Sequence, residues 1–214
     1  MKSAAITSNP SLNSTQKQPW KLAFVFCFLV LLCDGADIGI LAFTLSSLKQ
    51  EFGLTNVQAG ALGSWSLFGM AIGGFFGGWA CDRFGRVRVI VIATALFSVL
   101  SGFSGFAQSY EHFVALRFTA CLGLGSLYIA TNTLMSEMVP TKHRTTVLAM
   151  LMTGFTLGSL VITSLSAWII PSYGWRTLYL LTFIPIILAV LMYFLVSEPQ
   201  SWKESRALKL SGAK

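Results

Sequence analysis

The fold is decided by the stretch GWACDRFGRVR, residues 78–88. It places four charged residues and a turn glycine between two long apolar segments. Lys and Arg in short loops between membrane helices stay on the cytoplasmic side. The stretch therefore predicts a tight cytoplasmic turn that joins two membrane-spanning helices.

The composition supports this interpretation. The 214 residues are 54% hydrophobic and 11% charged, with a mean hydropathy of +0.69, whereas soluble domains carry about 25% charged residues. The net charge of +7 is shared among loops and tails rather than gathered in one patch. We therefore expect a lipid bilayer, and no nucleic acid, as the surroundings of this chain.

Six segments have the length and apolar content of spanning helices, which need about 20 residues each. Loops between them are short, so consecutive helices are expected to run antiparallel. The predicted fold class is an all-α membrane protein with spans at 20–45, 58–80, 87–107, 113–138, 146–170 and 177–197.

The positive charges predict the orientation. With the N-terminus inside, 12 of the 15 Lys and Arg residues fall on the cytoplasmic side, Lys49 and Arg176 fall outside, and Arg117 lies within a span. Both termini are thus expected in the cytoplasm. The predicted organisation is a disordered cytoplasmic N-terminus at 1–19, a six-helix bundle at 20–197 and a cytoplasmic tail at 198–214.

Small residues recur four apart within several spans, a spacing that lets helix backbones approach closely in a membrane. Generic helix packing is enough to explain each pair, and their density predicts a tightly packed bundle. The pairs are Gly69/Gly73, Gly73/Gly77, Gly74/Gly78, Ser98/Gly102, Ser101/Gly105 and Gly154/Gly158.

Three charged residues, Asp34, Asp37 and Arg117, lie within the predicted spans. Each costs about 2.5–3.5 kcal/mol at a helix centre, so all three are expected to face the bundle interior, a partner or a wet cavity. One interpretation is a fixed ion pair that only holds helices together. The other is a substrate or proton pathway, because burial favours a protonated carboxyl group and a neighbouring arginine favours the ionised one.

No enzymatic motif is present, and the glycines Gly123 and Gly125 lie in a span rather than after a strand, which argues against a dinucleotide site. The four cysteines form no CxxC pair, and His112 and His143 have no partner at ligand spacing. We expect no enzyme activity, no metal and no cofactor.

Several motifs together resemble the major facilitator superfamily. Residues 78–88 resemble its loop between the second and third helices, and Arg117-x5-Gly123-x-Gly125 is similar to its fourth-helix pattern. Residues 137–144 and 174–176 resemble the loop after that helix and the entry to the sixth. Residues 197–202 resemble the start of its central cytoplasmic loop. Asp34-Gly-Ala-Asp37 resembles a first-helix motif of aromatic acid:proton symporters.

This resemblance implies a fold of two six-helix halves, each built from two inverted three-helix repeats, with substrate between the halves. The chain corresponds to the N-terminal half, so a second half, from the same or another chain, is an expected partner. The implied function is symport of a small organic, aromatic anion with protons across a bacterial inner membrane, driven by the proton gradient. Two alternatives stay open: a carrier of sugars or other solutes, and a non-transporting half that only binds partner helices.

The resemblance also implies site residues. Asp37 would be the proton carrier, with Arg117 as its partner or as the group that meets the substrate carboxylate, and Asp34 would lie one turn nearer the cytoplasm. Aromatic and polar candidates for the substrate surface are Trp65, Phe68, Tyr128 and Asn132. Candidates for a cytoplasmic gate are Gly78, Asp82, Arg83, Gly85, Arg86, Arg88, Glu137 and Arg144, and one of the three loop arginines is expected to contact Glu137.

Overall fold

The structure, a computed structural model, describes residues 20–210, with side chains up to residue 208. The predicted disordered segment 1–19 and the last four residues of the predicted tail lie outside the described residues. Within the described range every regular element is helical. The elements are α1 (Trp20–Glu51), α2 (Asn56–Phe84), α3 (Arg86–Ser104), α4 (Tyr110–Met138), a 3₁₀ turn (Thr141–His143), α5 (Arg144–Tyr173), α6 (Arg176–Leu181), α7 (Pro185–Leu195) and α8 (Gln200–Leu210).

Six helical segments are long and apolar enough to cross a membrane, the sixth being α6 and α7 together. The six predicted spans are thereby confirmed, but their bounds differ. The first helix runs on to Glu51 instead of ending near residue 45. Its end is marked by a turn with Gly53 at φ 62°, followed by a capping box of Thr55 and Gln58 that starts α2. Polar capping groups, rather than apolar composition, define these ends.

The sixth span is not one continuous α-helix. Between α6 and α7 the amides of Thr182, Phe183 and Ile184 bond to carbonyls three residues back, which is the tighter 3₁₀ pattern. Ser98 of α3 donates a hydrogen bond to the carbonyl of Thr182 at 2.5 Å. Pro185 then begins α7. The third helix therefore holds the interrupted part of the sixth span in place.

Glycines permit the closest helix contact between α1 and α5. A Cβ on Gly35 would collide with the backbone carbonyl of Phe155, and one on Gly158 would collide with that of Leu32. Gly154 faces Phe28 in the same way, with a would-be Cβ 2.9 Å from its carbonyl oxygen. The two backbones therefore touch without intervening side chains.

The same arrangement joins α2 to α4. Would-be Cβ atoms on Gly73 and Gly125 would strike the carbonyls of Leu122 and Met70. Gly74 and Gly78, in contrast, have only ordinary contacts with Ile129, at 3.6 and 3.9 Å. The row Gly69, Gly73 and Gly77 is thus the tight interface among the predicted pairs of this helix.

The buried core has two apolar clusters separated by a polar layer. On α1, Leu31 belongs to one cluster and Ile40 to the other, and Asp37 lies between them. On α4, Arg117 lies between Phe113 of the second cluster and Cys121 of the first. The layer therefore falls near the middle of the bundle, where water is excluded on both sides.

The glycine contacts predict unequal effects of two alanine substitutions in α2. Gly73→Ala is expected to lower the melting temperature of the purified chain in detergent, because its Cβ would overlap the Leu122 backbone. At Gly63 a Cβ would meet no atom within 4 Å. Gly63→Ala is expected to leave the melting temperature unchanged or to raise it, because alanine stabilises a helix interior by about 0.5–1 kcal/mol relative to glycine. Thermal unfolding followed by circular dichroism compares them. Equal stability of the two variants would contradict the close packing of α2 on α4.

Candidate functional site

Asp37 and Arg117 form a buried ion pair between α1 and α4. Nη1 of Arg117 donates to Oδ1 of Asp37 at 3.1 Å and to Oδ2 at 2.8 Å. The side chains are 0% and 2% exposed. Removing either partner would strand a charge in the core, which typically costs about 3–5 kcal/mol. The expectation that these spanning charges face the interior holds for this pair.

Two residues that sequence reasoning did not assign to the site, Ser101 and Tyr179, contact the arginine, and a third, Thr44, contacts Tyr179. Ser101 of α3 accepts a hydrogen bond from Arg117 Nη1 at 3.0 Å. The ring centroid of Tyr179 lies 5.8 Å from Arg117 Cζ, and its hydroxyl pairs with Thr44 Oγ1 at 3.2 Å. In the sequence Ser101 had signalled only helix packing, and an aromatic residue in an apolar span carries no signal of its own.

Asp34 lies one turn before Asp37 on α1 and is also fully buried. Neither of its carboxyl oxygens has a hydrogen-bond partner among the residues that the structure describes. An ionised carboxylate without a donor or counter-charge is costly in the interior. Asp34 therefore differs in kind from Asp37, whose two oxygens both bond to Arg117.

The predicted substrate residues do not gather around the ion pair. Trp65 and Phe68 of α2 form an exposed aromatic cluster with Phe118 of α4, with ring centroids 6.2 to 6.4 Å apart. Tyr128 lies further along α4, by about 15 Å at 1.5 Å per residue, and lines a separate shallow hollow against α2. Asn132 donates to the carbonyl of Tyr128 on its own helix at 2.8 Å.

The ion pair is therefore closed off from the surface that carries these aromatic residues. Trp65, Phe68 and Tyr128 are 48%, 55% and 41% exposed, while Arg117 is 1% exposed. In this conformation the guanidinium offers no face to a molecule bound outside the bundle. A carboxylate from outside the bundle could reach it only after the helices or the Asp37 contact rearrange.

At the other candidate region, Arg86 connects the loop between α2 and α3 to the end of α4. Its Nη2 lies 3.0 Å from Asp82 Oδ1 and 2.8 Å from Glu137 Oε1, and its Nε also donates to Glu137. The predicted contact between a loop arginine and Glu137 is confirmed, with Arg86 as the residue. Asp82 remains 71% exposed, so most of its carboxylate is open to other contacts.

The remaining gate candidates play different parts. Arg83 lies over the rings of Trp79 and Phe84, 5.4 and 5.9 Å from their centroids. Gly85, at φ 108°, separates α2 from α3. Arg144 begins α5, and its Nε has no hydrogen-bond partner within residues 20–208. Neither Arg83 nor Arg144 forms an ion pair with Glu137 in the described residues.

Glu198, just before α8, completes this region. Its two carboxylate oxygens accept hydrogen bonds from the amides of Val87 and Arg88, at 3.1 and 3.0 Å, at the start of α3. A negative charge here satisfies free amides and complements the helix dipole. A Cβ on Gly85 would overlap the Glu198 carboxylate, so glycine is required at that turn. The sequence had marked Glu198 only as part of a loop.

Helix α8 packs over the same loop. Ser201 donates to Glu137 at 2.9 Å, and the indole of Trp202 donates to the carbonyl of Asp82 at 3.2 Å. Arg206 lies over the Trp202 ring, 5.1 Å from its centroid. Trp79, Arg83 and Arg206 help line a cleft of about 600 Å³ at this end of the bundle. The charged loop thus connects α2, α3, α4 and α8.

Comparisons with known proteins agree with this architecture. The family model described as Major Facilitator Superfamily matches residues 27–211. The cis,cis-muconate transport protein of Acinetobacter baylyi is 56% identical over 199 residues, which are 93% of this chain and 48% of that protein. The gallate transporter of Pseudomonas putida is 35% identical over 86% of this chain and 41% of its own length. The 4-hydroxybenzoate transporter of Pseudomonas aeruginosa is 34% identical over 84% and 40%.

The chain spans about half the length of the curated relatives it matches. Among solved structures, the inward-open xylose transporter XylE from E. coli superposes with a TM-score of 0.78 at 22% identity, over 91% of this chain and 53% of that one. A bacterial homologue of the lysosomal transporter Spinster superposes at 0.73 and 19% identity, over 85% and 44%. At these identities the likeness establishes the fold alone.

The capping contact of Glu198 predicts a local effect on α3. Glu198→Ala is expected to destabilise the chain by about 1 kcal/mol, as loss of a helix cap does, and to speed amide exchange at the start of α3. Hydrogen–deuterium exchange of peptides covering residues 86–90 measures it. Glu204→Ala, an exposed glutamate on α8, is the matched control and should leave this exchange unchanged. Unaltered exchange in Glu198→Ala would contradict the capping role.

Proposed function

This chain belongs to the major facilitator superfamily and is an integral membrane protein, and we propose that it forms the N-terminal half of a proton-coupled importer of an aromatic or related organic acid. The 56% identity to the cis,cis-muconate transport protein over 93% of the chain carries this proposal. Similarity to the gallate and 4-hydroxybenzoate transporters supports the same substrate class. The role is transport rather than enzymatic conversion. It takes place in a bacterial inner membrane, with the proton gradient as driving force and no cofactor.

The proposed coupling rests on the Asp37–Arg117 pair. While Asp37 is ionised, it occupies Nη1 of Arg117 and holds α1 against α4. Protonation of Asp37 removes the attraction and frees the guanidinium. Arg117 then anchors the substrate carboxylate, for which a planar cation is well suited. After the acid leaves on the cytoplasmic side, Asp37 releases its proton to the cytoplasm and the ion pair with Arg117 forms again. Asp34, buried without a partner, is the second candidate for proton transfer.

The substrate surface of this proposal uses exposed aromatic residues. Trp65 and Phe68, with Tyr128 and Asn132 further along the bundle, present ring faces and an amide suited to a flat acid. They lie on α2 and α4, whose contact is made tight by glycines. The surface is open on one side in this chain, so a second half must close it.

The partner half is proposed to cover α2 and α5. In the most apolar stretch of each of these helices only 28% of residues are buried, against 50% in α1 and α4. Large exposed residues of α2, such as Phe75, Phe76 and Trp79, are 79%, 58% and 56% exposed. Together with the half-length match to the relatives, this supports a second six-helix unit, from the same or another chain. The charged loop and Asp82 would form the cytoplasmic gate against it.

A half that does not transport and only binds partner helices is the second candidate, favoured by the low burial of α2 and α5 in this chain. Proteoliposomes separate the two candidates. The chain alone, and a chimera in which it replaces the matching part of the cis,cis-muconate transport protein, are compared for uptake of muconate and 4-hydroxybenzoate under an inward proton gradient. The proposal expects accumulation by the chimera. Accumulation of xylose instead would favour a sugar carrier, and no uptake by a correctly folded chimera would favour the non-transporting half.

The proposed orientation places both termini in the cytoplasm. A cysteine introduced at the exposed Gln108, between α3 and α4, is expected to react with an impermeant maleimide in intact cells. One at Ser205 on α8 should react only after lysis. The parent chain is the control for background labelling, because Cys27, Cys81 and Cys121 are buried and Cys33 is half-buried within the spanning helix α1. The reverse labelling pattern would contradict the orientation.

The ion pair predicts the effect of two substitutions in the chimeric carrier. Asp37→Asn keeps the shape but cannot ionise, so uphill accumulation should be lost while the protein still folds. Arg117→Lys keeps the charge but loses the planar donor group, and acid uptake should fall by about tenfold or more, which corresponds to roughly 1.4 kcal/mol. Initial uptake rates of labelled acid measure both, with Glu204→Gln as control. Proton-driven accumulation by Asp37→Asn would transfer the proton role to Asp34 or to the second half.

A further inference from the structure

We propose that Ser101 and Tyr179 are positioning residues for Arg117, which they hold by neutral contacts while Asp37 carries a proton. The proposal rests on the proposed function, because it concerns the protonated step of that cycle. It assigns a role to two residues of α3 and α6, helices that contribute no other group to the site.

The hydroxyl of Ser101 is used differently from its neighbours on α3. Serines within helices usually donate to a carbonyl of their own helix, as Ser104 does to Leu100 at 3.0 Å. Ser101 is fully buried, and its hydrogen-bond partner in the described residues is Arg117 Nη1. The oxygen therefore provides the guanidinium with an acceptor that has no charge to lose.

Tyr179 presents a fixed ring face to the same guanidinium. Its ring makes edge contacts with Phe113 and Trp175, at centroid distances of 5.6 and 5.7 Å, and its hydroxyl pairs with Thr44. The start of α6 is itself fastened to α1, because the Trp175 indole donates to Glu51 at 2.6 Å. These contacts fix the position of the ring. Its face therefore attracts the guanidinium at one defined position by a cation–π interaction.

We call the Ser101 hydroxyl and the Tyr179 ring together the Arg117 cradle. The need for it comes from the charge balance. When Asp37 is neutralised, Arg117 becomes a buried cation without a counter-ion, which is unfavourable unless other groups meet it. The titratable groups around the pair are Cys33 and Asp34 on α1, Cys121 on α4 and Tyr179 on α6. Of these only Asp34 is a carboxyl group, and it makes no hydrogen bond to Arg117 in this structure. Ser101 and the Tyr179 ring already touch the guanidinium and need no rearrangement.

A stability cycle on the purified chain tests this without measuring transport. Asp37→Asn mimics the protonated carboxyl group, and Ser101→Ala removes the neutral acceptor. Ser101→Ala is expected to lower the melting temperature at least twice as much in the Asp37→Asn background as in the parent chain. Tyr179→Leu is expected to show the same difference between the two backgrounds. Tyr179→Phe keeps the ring and should lower the melting temperature only slightly. Ser101→Thr keeps the hydroxyl group and should have a melting temperature close to that of the parent serine. Ser104→Ala, a buried serine one turn away, is the matched control and should cost the same in both backgrounds.

Equal losses in the two backgrounds for Ser101→Ala and Tyr179→Leu would overturn the proposal, since a purely structural role predicts them. Failure of the Ser101→Ala/Asp37→Asn double variant to fold, with both single variants and the Ser104→Ala/Asp37→Asn protein folded, would support it. A larger loss for Asp34→Asn than for Ser101→Ala in the Asp37→Asn background would instead assign the alternative contact to Asp34 and overturn it.

A transport readout links the cradle to the cycle. In the chimeric carrier, Ser101→Ala should move the half-maximal pH of uptake to lower values, because Nη1 of Arg117 then has only the neutral carboxyl group of protonated Asp37 as an acceptor, and protonation becomes less favourable. Ser101→Thr should return it. A chimera that accumulates no acid would refute the proposed function while leaving the stability cycle free to support the cradle. An unmoved pH profile in an active Ser101→Ala carrier would overturn the cradle alone.

Discussion

A carboxylate and a guanidinium enclosed midway along a membrane bundle set the strongest constraint on this structure. The Asp37–Arg117 attraction repays the cost of burial only where geometry is good and water is excluded. Glycines deliver that condition, because Gly35 and Gly158 bring α1 onto α5 while Gly73 and Gly125 bring α2 onto α4. The apolar clusters that contain Leu31 and Ile40 then seal the polar layer on both sides. Close backbone packing thus helps to exclude water from the Asp37–Arg117 pair.

The parts of this architecture that sequence reasoning could predict are those with few physical solutions. A charge inside an apolar span must find a partner, so Asp37 and Arg117 were identifiable before any contact was known. Ser101 and Tyr179 were not, because serine at a small-residue spacing and tyrosine in an apolar span are both ordinary packing residues. Only the tertiary structure shows that a hydroxyl and a ring meet Arg117. Helix ends were missed for a related reason: the capping box at Thr55 is local polar chemistry, which a count of apolar residues does not register.

The charged loop between α2 and α3 combines a fixed part with an open part. Arg86 forms an ion pair with Glu137, and Glu198 caps the start of α3, so this loop is held by both α4 and the segment before α8. Asp82 meets the same arginine yet keeps 71% of its side chain exposed. A partly wet ion pair of this kind contributes little to stability. The Asp82 carboxylate can therefore exchange Arg86 for another partner at little cost in free energy. A reversible contact with a second half requires this property.

Proton handling and substrate binding are therefore distributed unequally over the proposed carrier. The Asp37–Arg117 pair is contacted by Ser101 and Tyr179 of the same chain. The aromatic surface around Trp65 and Phe68, in contrast, is about half exposed and has no opposite wall. A change of charge inside the bundle can then alter how α1, α3, α4 and α6 fit together without any help from a partner. In the proposed carrier, a second half would therefore add its residues mainly at the open aromatic surface, while the buried ion pair and its neighbours come from this chain.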